Sequence, residues 1–250
     1  MSGHSKWATI KHKKAANDKA RGKLFAKLLR QVEVAAREGG GDPDTNPTLR
    51  TMFQKARDNS IPLDTIERAV KRGTGELEGV TYEQVTYEGY APGGVAVMAQ
   101  CLTDNRNRTG SEIRNVFSKN GGSLAEPGAV AWQFTRVGQI VVPRGVDEEE
   151  LMLTALEAGA DDVADESDAW RVSTDPSDVH DVRDALEQAG IPVDSSEATM
   201  VSSTTIELEA ADAARPVLRL IDALDDHDDV GAVFANFDVP DAVFEELGAS

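Results

Sequence analysis

Val95-Ala96-Val97-Met98-Ala99-Gln100-Cys101-Leu102 is a near-continuous apolar run, and it marks where the chain changes period. Bounded by Gly93-Gly94 before it and by the polar residues Thr103 to Arg108 after it, the run reads as a central strand buried on both faces. Just upstream, Val85 and Tyr87 alternate with Thr86 and Glu88, the two-residue period of a half-buried strand. Downstream, Thr109-Gly110-Ser111-Glu112 has the spacing of a capping box. Ile113, Val116 and Phe117 line the helix it starts, which Gly121-Gly122 stops.

Going back from the strand, the period is helical. Residues 13–38 read as one long helix, or one broken at Gly22. At about 100° per residue, Lys19, Lys23, Lys27 and Arg30 fall within about 80° of one another, while Leu24, Phe25, Leu28, Leu29, Val32, Ala35 and Ala36 fill the opposite side. Gly39 to Gly41 end it. Asn46 as N-cap, with Pro47 at the first helical position, opens a second helix carrying Leu49, Met52, Phe53 and Ala56 on one face. A third follows Pro62, turns Ile66, Ala69 and Val70 inward and stops at Gly73. Three such helices predict a small bundle over residues 1–78, with Thr74 to Gly79 as a linker.

Going forward, residues 131–203 give a strand at Ile140 to Val142 and a helix capped by Asp147 with Leu151 and Leu156 buried. Strands follow near Val163 and at Ala169 to Ser173, then a helix capped at Asp175-Pro176 and lined by Val179, Val182 and Leu186, then a strand near Met200. That order, β-α-β-β-α-β, is the ferredoxin-like arrangement. The C-terminal part reads as a strand at Thr204 to Glu209, a helix bearing Val217, Leu220, Ile221 and Leu224, and a last strand at Val233 to Val239. Alone it is half a domain, and a β-α-β in residues 79–130 supplies the other half. The expected fold is α+β: an N-terminal helical bundle followed by two ferredoxin-like α/β domains. The 131–203 domain is inserted in a discontinuous domain of 79–130 plus 204–250.

The apolar fraction of 40% suits a soluble globular protein. A single cysteine, Cys101, excludes a disulfide framework or a cysteine-rich zinc module within the chain. No run approaches the ~20 apolar residues of a membrane span, and no apolar stretch follows the charged N-terminus, so a cytoplasmic protein without a membrane partner is expected. Charge is sharply segregated. Residues 1–30 hold nine Lys or Arg and one acid, a local +8 in a chain of net −18. Residues 1–78 carry 16 basic and 10 acidic side chains, whereas residues 79–250 carry 10 and 34. A segment so opposed to its own body points to a polyanionic partner.

The candidate nucleic-acid-binding residues follow from that segregation. In the basic segment they are His4, Lys6, Trp7, Lys11, His12, Lys13 and Lys14, then the stripe Lys19, Lys23, Lys27 and Arg30: cations for phosphates, with an aromatic ring able to stack on an unpaired base. Asn105, Arg106, Asn107 and Arg108 form a second candidate, a polar loop whose arginines share the positive end of the following helix and so suit an anion. Phosphate-binding loops, dinucleotide fingerprints and nucleophile elbows are missing. His4, His12, His180 and His227 lack metal-ligand spacing. Asp225-Asp226-His227-Asp228-Asp229 lacks the glutamate of a calcium loop, since Asn236 stands at the twelfth position, and is read as a solvated helix end. No catalytic residue, metal or cofactor is expected, and an enzyme acting on RNA is the remote alternative.

Several stretches resemble the YebC family: Gly3-His4-Ser5-Lys6-Trp7-Ala8, Ile10-Lys11-His12-Lys13-Lys14, Ala35 to Pro43, Ile66-Glu67-Arg68-Ala69, Tyr87 to Val95, Leu102 to Thr109, Phe117 to Gly122 and Leu220 to Leu224. The resemblance runs from end to end and is poorest over residues 145–203. It implies a helical N-terminal domain and two α/β domains, one inserted in the other, and no enzymatic residues. It also implies a DNA-binding transcriptional regulator, as family members are commonly described. A mitochondrial relative is a translational activator, and bacterial members are linked to the ribosome and to relief of stalling at proline-rich sequences. DNA, ribosomal RNA or both are therefore the expected partners, a protein partner on the acidic domains is allowed, and the expected state is a monomer or weak dimer. Pro216 departs from the family pattern within the last helix.

Overall fold

The structure, a computed structural model, describes residues 18–166 and 169–248. It divides into two compact units, one made of the chain up to Phe134 and from Ser202 onward, the other of Thr135–Val201.

The first unit begins with α1 (Asp18–Gly39), α2 (Pro47–Asp58) and α3 (Leu63–Gly73), packed around Leu28, Val32, Leu49, Ala56, Ile66 and Ala69. One side chain ties two helix ends together. Asn46 is buried; its Oδ1 accepts from the Leu49 N–H at 3.0 Å to cap α2, while its Nδ2 donates to the Ala35 and Gly40 carbonyls at 2.8 Å each, where α1 ends. Gly73, expected as a stop, has a packing task instead. A Cβ there would lie 2.3 Å from the Glu33 carbonyl oxygen and 2.8 Å from Ala36 Cβ, so the bare backbone sets how closely α1 and α3 approach. The left-handed residue beyond α3 is Gly75, at φ 83°.

Next come β1 (Glu83–Tyr90) and β2 (Ala96–Thr103), paired antiparallel with Tyr87 opposite Ala99. Gly93 and Gly94, at φ 78° and 79°, let the turn Pro92–Gly94 reverse the chain. Then α4 (Arg106–Lys119) leads to the short β3 (Ser123–Leu124). The order over this stretch is thus β-β-α-β rather than the expected β-α-β, because the hairpin turn pairs β2 with β1 directly.

In the second unit, β4 (Phe134–Pro143), α5 (Glu148–Glu157), β5 (Asp162–Glu166), β6 (Ala169–Thr174), α6 (Val179–Gln188) and β7 (Ser195–Ser202) form a sheet in the order β5-β6-β4-β7. This is the β-α-β-β-α-β order read from the sequence, with its first strand between the third and fourth. Asp147 caps α5 as expected, accepting from the Glu150 N–H at 2.9 Å. Leu156 is 49% exposed, however, and Ala155 takes the place beside Leu151, one helical turn on. Asp175 accepts from Ser177 in a turn ahead of α6 and does not cap that helix, whose N-cap position is Asp178.

Back in the first unit, β8 (Ile206–Glu207), α7 (Ala211–Asp225), β9 (Val230–Ala235), β10 (Phe237–Asp238) and α8 (Asp241–Gly248) complete the chain. The main sheet runs β3-β1-β2-β9, and the Val95 to Leu102 run is central in it. The expected last strand is broken at Asn236, whose buried side chain accepts from the Ala96 N–H at 2.7 Å and donates to Gln133 Oε1 at 3.0 Å. Beyond it, β10 leaves the sheet and pairs parallel with β8. Residues 79–130 and 204–250 therefore do not reproduce the ferredoxin-like order. Pro216 is the sixth residue of α7, beyond its first turn. Phe117, Ile113, Leu220 and Leu224 lie in the core of this part.

Candidate nucleic-acid interface

The residues singled out from the sequence fall into three groups. His4, Lys6, Trp7, Lys11, His12, Lys13 and Lys14 lie outside the described residues. Lys19 lies on α1, and its side chain is likewise outside the description. The remaining candidates converge on one acidic turn.

Lys23, Lys27 and Arg30 recur at the i, i+4, i+7 spacing of one helical face, and that face meets the C-terminal end of α7. A helix end leaves carbonyls without partners and carries partial negative charge, which Asp225 and Asp226 aggravate. The cations answer both. Lys23 Nζ donates to the Asp226 carbonyl at 3.0 Å and lies 3.8 Å from the Asp228 carboxylate. Lys27 Nζ donates to the Asp225 carbonyl. Arg30 Nη1 donates to the Asp228 carbonyl at 2.9 Å and to Asp229 Oδ1 at 3.3 Å, and its guanidinium lies 5.5 Å from the centre of the Tyr82 ring. The acidic run is thus a docking partner for α1 rather than a solvated helix end.

Asp229 is the centre of this seam, 7% exposed. Besides Arg30 it accepts from Arg108 Nη2 at 2.6 Å and from Thr109 Oγ1 at 2.7 Å. Burial pushes its carboxyl up, but the hydrogen bonds from Thr109 and Arg108, with the arginine's charge, outweigh this and hold it below the usual carboxylate range. The same bond to Asp229 pushes the Arg108 guanidinium up. Arg30 and Arg108, from two separate candidate stretches, therefore share one carboxylate.

Asn105 to Arg108 do not form a loop. Asn105 is the N-cap of α4, its Oδ1 accepting from the Arg108 N–H at 3.1 Å, so the helix starts at Arg106 and not at the Thr109 capping box. Thr109 is buried, and its hydroxyl serves Asp229 and Thr103 instead. Arg108 also pairs with Asp104 at 3.1 Å. Arg106 and Asn107 remain exposed on the first turn.

Glu112, His227 and Asp229 bring three metal-binding groups within 4.8 Å. Part of their bonding capacity is used internally. The Asp229 N–H donates to His227 Nδ1 at 3.1 Å, His227 Nε2 lies 3.0 Å from Glu112 Oε2, and two guanidiniums crowd Asp229. That charge opposes a cation. Sequence reasoning missed Asp229; the signal available was the run of aspartates whose sign complements the stripe.

The fold and the seam define a class: an α+β protein whose basic N-terminal helix is docked by its own cations on an acidic turn of a sheet domain. Residues 5–76 match the family described as the TACO1/YebC protein N-terminal domain, and residues 82–237 match the TACO1/YebC second and third domain. The chain belongs to this family, as its motifs suggest. A "Probable transcriptional regulatory protein" of Halothermothrix orenii is 56% identical over 250 residues, covering 99% of each chain. One from Geobacter sulfurreducens is 54% identical over 247 residues, covering 99% of this chain and 100% of that one. The crystal structure of a conserved hypothetical protein from Aquifex aeolicus shares 46% identity at a TM-score of 0.79, covering 88% of this chain and 91% of that chain. Among the described residues no helix is long and apolar enough to cross a membrane.

Proposed function

We propose that the protein is a nucleic-acid-binding regulator of gene expression, of the DNA-binding transcriptional kind, with residues 1–78 as its binding domain. The observation that carries this reading is the local +8 of the first thirty residues on a chain of net −18. Such a segment gains by neutralising phosphates, while the acidic body repels them and disfavours phosphate contacts over most of its surface. The names of the relatives support a regulatory role. Lys23, Lys27 and Arg30 dock α1 and Arg108 is paired with Asp229, so the phosphate contacts fall to Lys6, Lys11, Lys13, Lys14 and Lys19, with His4, Trp7 and His12 beside them. Arg106 and Asn107 offer a second contact. The acidic domains of 79–130 plus 204–250 and of 131–203 position that surface, and no catalytic step is part of this reading.

The chemistry of the arm also favours a second reading, a ribosome- or RNA-binding translation factor that relieves stalling. A lysine-rich segment neutralises phosphates of either backbone and carries little that reads base edges. The test titrates the purified protein, and a Lys11→Gln, Lys13→Gln, Lys14→Gln variant, with a promoter duplex and with ribosomes at physiological salt. Saturable duplex binding that the variant loses is the expected result. Saturable ribosome binding with only weak, salt-erased duplex binding would overturn the transcription form, and unaltered binding by the variant would overturn the assignment of the arm.

A further inference from the structure

Trp132 is 72% exposed, the most open large apolar side chain among the described residues. It sits in the turn Ala131–Gln133 of the first unit, and that turn is built with unusual care. Glu88, on β1 and only 6% exposed, aims its carboxylate into it and accepts from the backbone N–H groups of Gly128 at 2.6 Å, Val130 at 2.7 Å and Ala131 at 2.8 Å. Burying a carboxylate is costly, and three charge-assisted bonds offset it. On the other side of Trp132, the Gln133 carbonyl accepts from the Ser203 N–H at 2.8 Å, and Gln133 Oε1 accepts from Thr204 Oγ1 at 2.9 Å. The backbone is therefore fixed on both sides of an indole that itself packs on little.

The ring is held at one edge as well. Its Nε1–H donates to the Ala129 carbonyl at 3.1 Å, and the Tyr90 hydroxyl donates to the same carbonyl at 3.3 Å. The polar edge of the indole is thus satisfied internally, and what it offers outward is its π-faces. Gly128, Ala129 and Ala131, its neighbours in the turn, are too small to crowd those faces.

We propose that Trp132 is a preorganised stacking platform for an unpaired nucleobase. The proposal rests on the nucleic-acid reading above and adds to it a contact in the α/β part of the first unit. Every base has a π-face, so such a platform is tolerant of sequence. It cannot reach a base held between neighbours in a duplex, so it favours single-stranded RNA or DNA over the double helix. Fixing the ring in the free protein removes part of the ordering cost of binding.

The test uses the full chain, a short single-stranded RNA, the DNA strand of the same sequence, and the corresponding DNA duplex. Trp132→Leu is expected to weaken single-strand binding about 5- to 150-fold, the range of one lost base stack, and Trp132→Phe to retain most of the affinity. The slope of log affinity against log salt should not change, because no phosphate contact is removed, and duplex binding should be unaffected. The two single strands distinguish an RNA from a DNA source of the base. Single-strand binding that depends on Lys11, Lys13 and Lys14 but is unmoved by Trp132→Leu would overturn this inference alone. A wild-type protein that binds neither single strand would overturn this inference, and one that binds none of the three probes and no ribosomes would overturn the nucleic-acid reading itself.

Discussion

Replacing Asp229 by alanine tests the docking seam most directly. The substitution removes the acceptor of Arg108 at 2.6 Å, of Thr109 at 2.7 Å and of Arg30 at 3.3 Å. Hydrogen bonds to a charged group are worth about 1.5–3 kcal/mol each, but they are not additive here. The freed arginine side chains, 42% and 27% exposed, regain water, and Thr109 keeps Thr103 Oγ1 at 2.8 Å. The net loss should be about 2–3 kcal/mol, below the ~3–5 kcal/mol of a fully buried pair. For a folding unit of this size that lowers Tm by roughly 4–12 °C. The pH dependence has a definite sign. The Asp229 carboxyl is held low in the folded state, so its stabilisation is present above the ordinary carboxylate pKa and fades as pH falls through the depressed folded value. Thermal unfolding of wild type and Asp229→Ala across the acidic range should therefore show curves that converge toward low pH. A difference below about 0.5 kcal/mol at neutral pH, the size of an ordinary surface substitution, would refute the reasoning, as would a difference independent of pH.

Gly73→Ala should destabilise the helical part by about 1–3 kcal/mol, since its methyl would press on the Glu33 carbonyl; denaturant unfolding reads this directly. Burial, then the nearby Asp229 charge, push the Cys101 thiol up to about 12, so iodoacetamide should leave it unmodified at pH 8 until the protein unfolds. Glu88→Gln should lower the stability of the first unit, because an amide cannot accept all three N–H bonds of the 128–131 turn. The Glu88 carboxyl is raised by burial but lowered overall by those bonds, so wild type should lose this advantage as pH falls through its depressed folded value. Acid titration of Tm for both proteins measures it.

What was legible in the sequence is what local spacing encodes. The Val95 to Leu102 run, the Asn46 and Asp147 caps and the order of elements in residues 135–201 all depend on neighbours a few positions apart. Where two local signals overlapped, tertiary demand decided between them. Asn105 and Thr109 are each competent N-caps, and Asn105 caps α4 because Thr109 is drawn to an aspartate 120 residues away. The same holds for Asn236, whose long-range bond to Ala96 breaks what reads as one strand. No periodicity carries such information.

The stripe is the sharpest case, because its spacing defines one helical face and spacing alone does not name the partner. Cations at i, i+4 and i+7 suit a row of phosphate oxygens, and they suit equally the carbonyls and carboxylates at the end of another helix. The folded chain supplies the second kind at Asp225 to Asp229. A phosphate that reached Arg30 would have to displace Asp229 and leave that carboxylate to Arg108 and Thr109 alone. Lys23, Lys27 and Arg30 thus hold α1 in place, and a polyanion reaches them only at the cost of bonds the chain already makes.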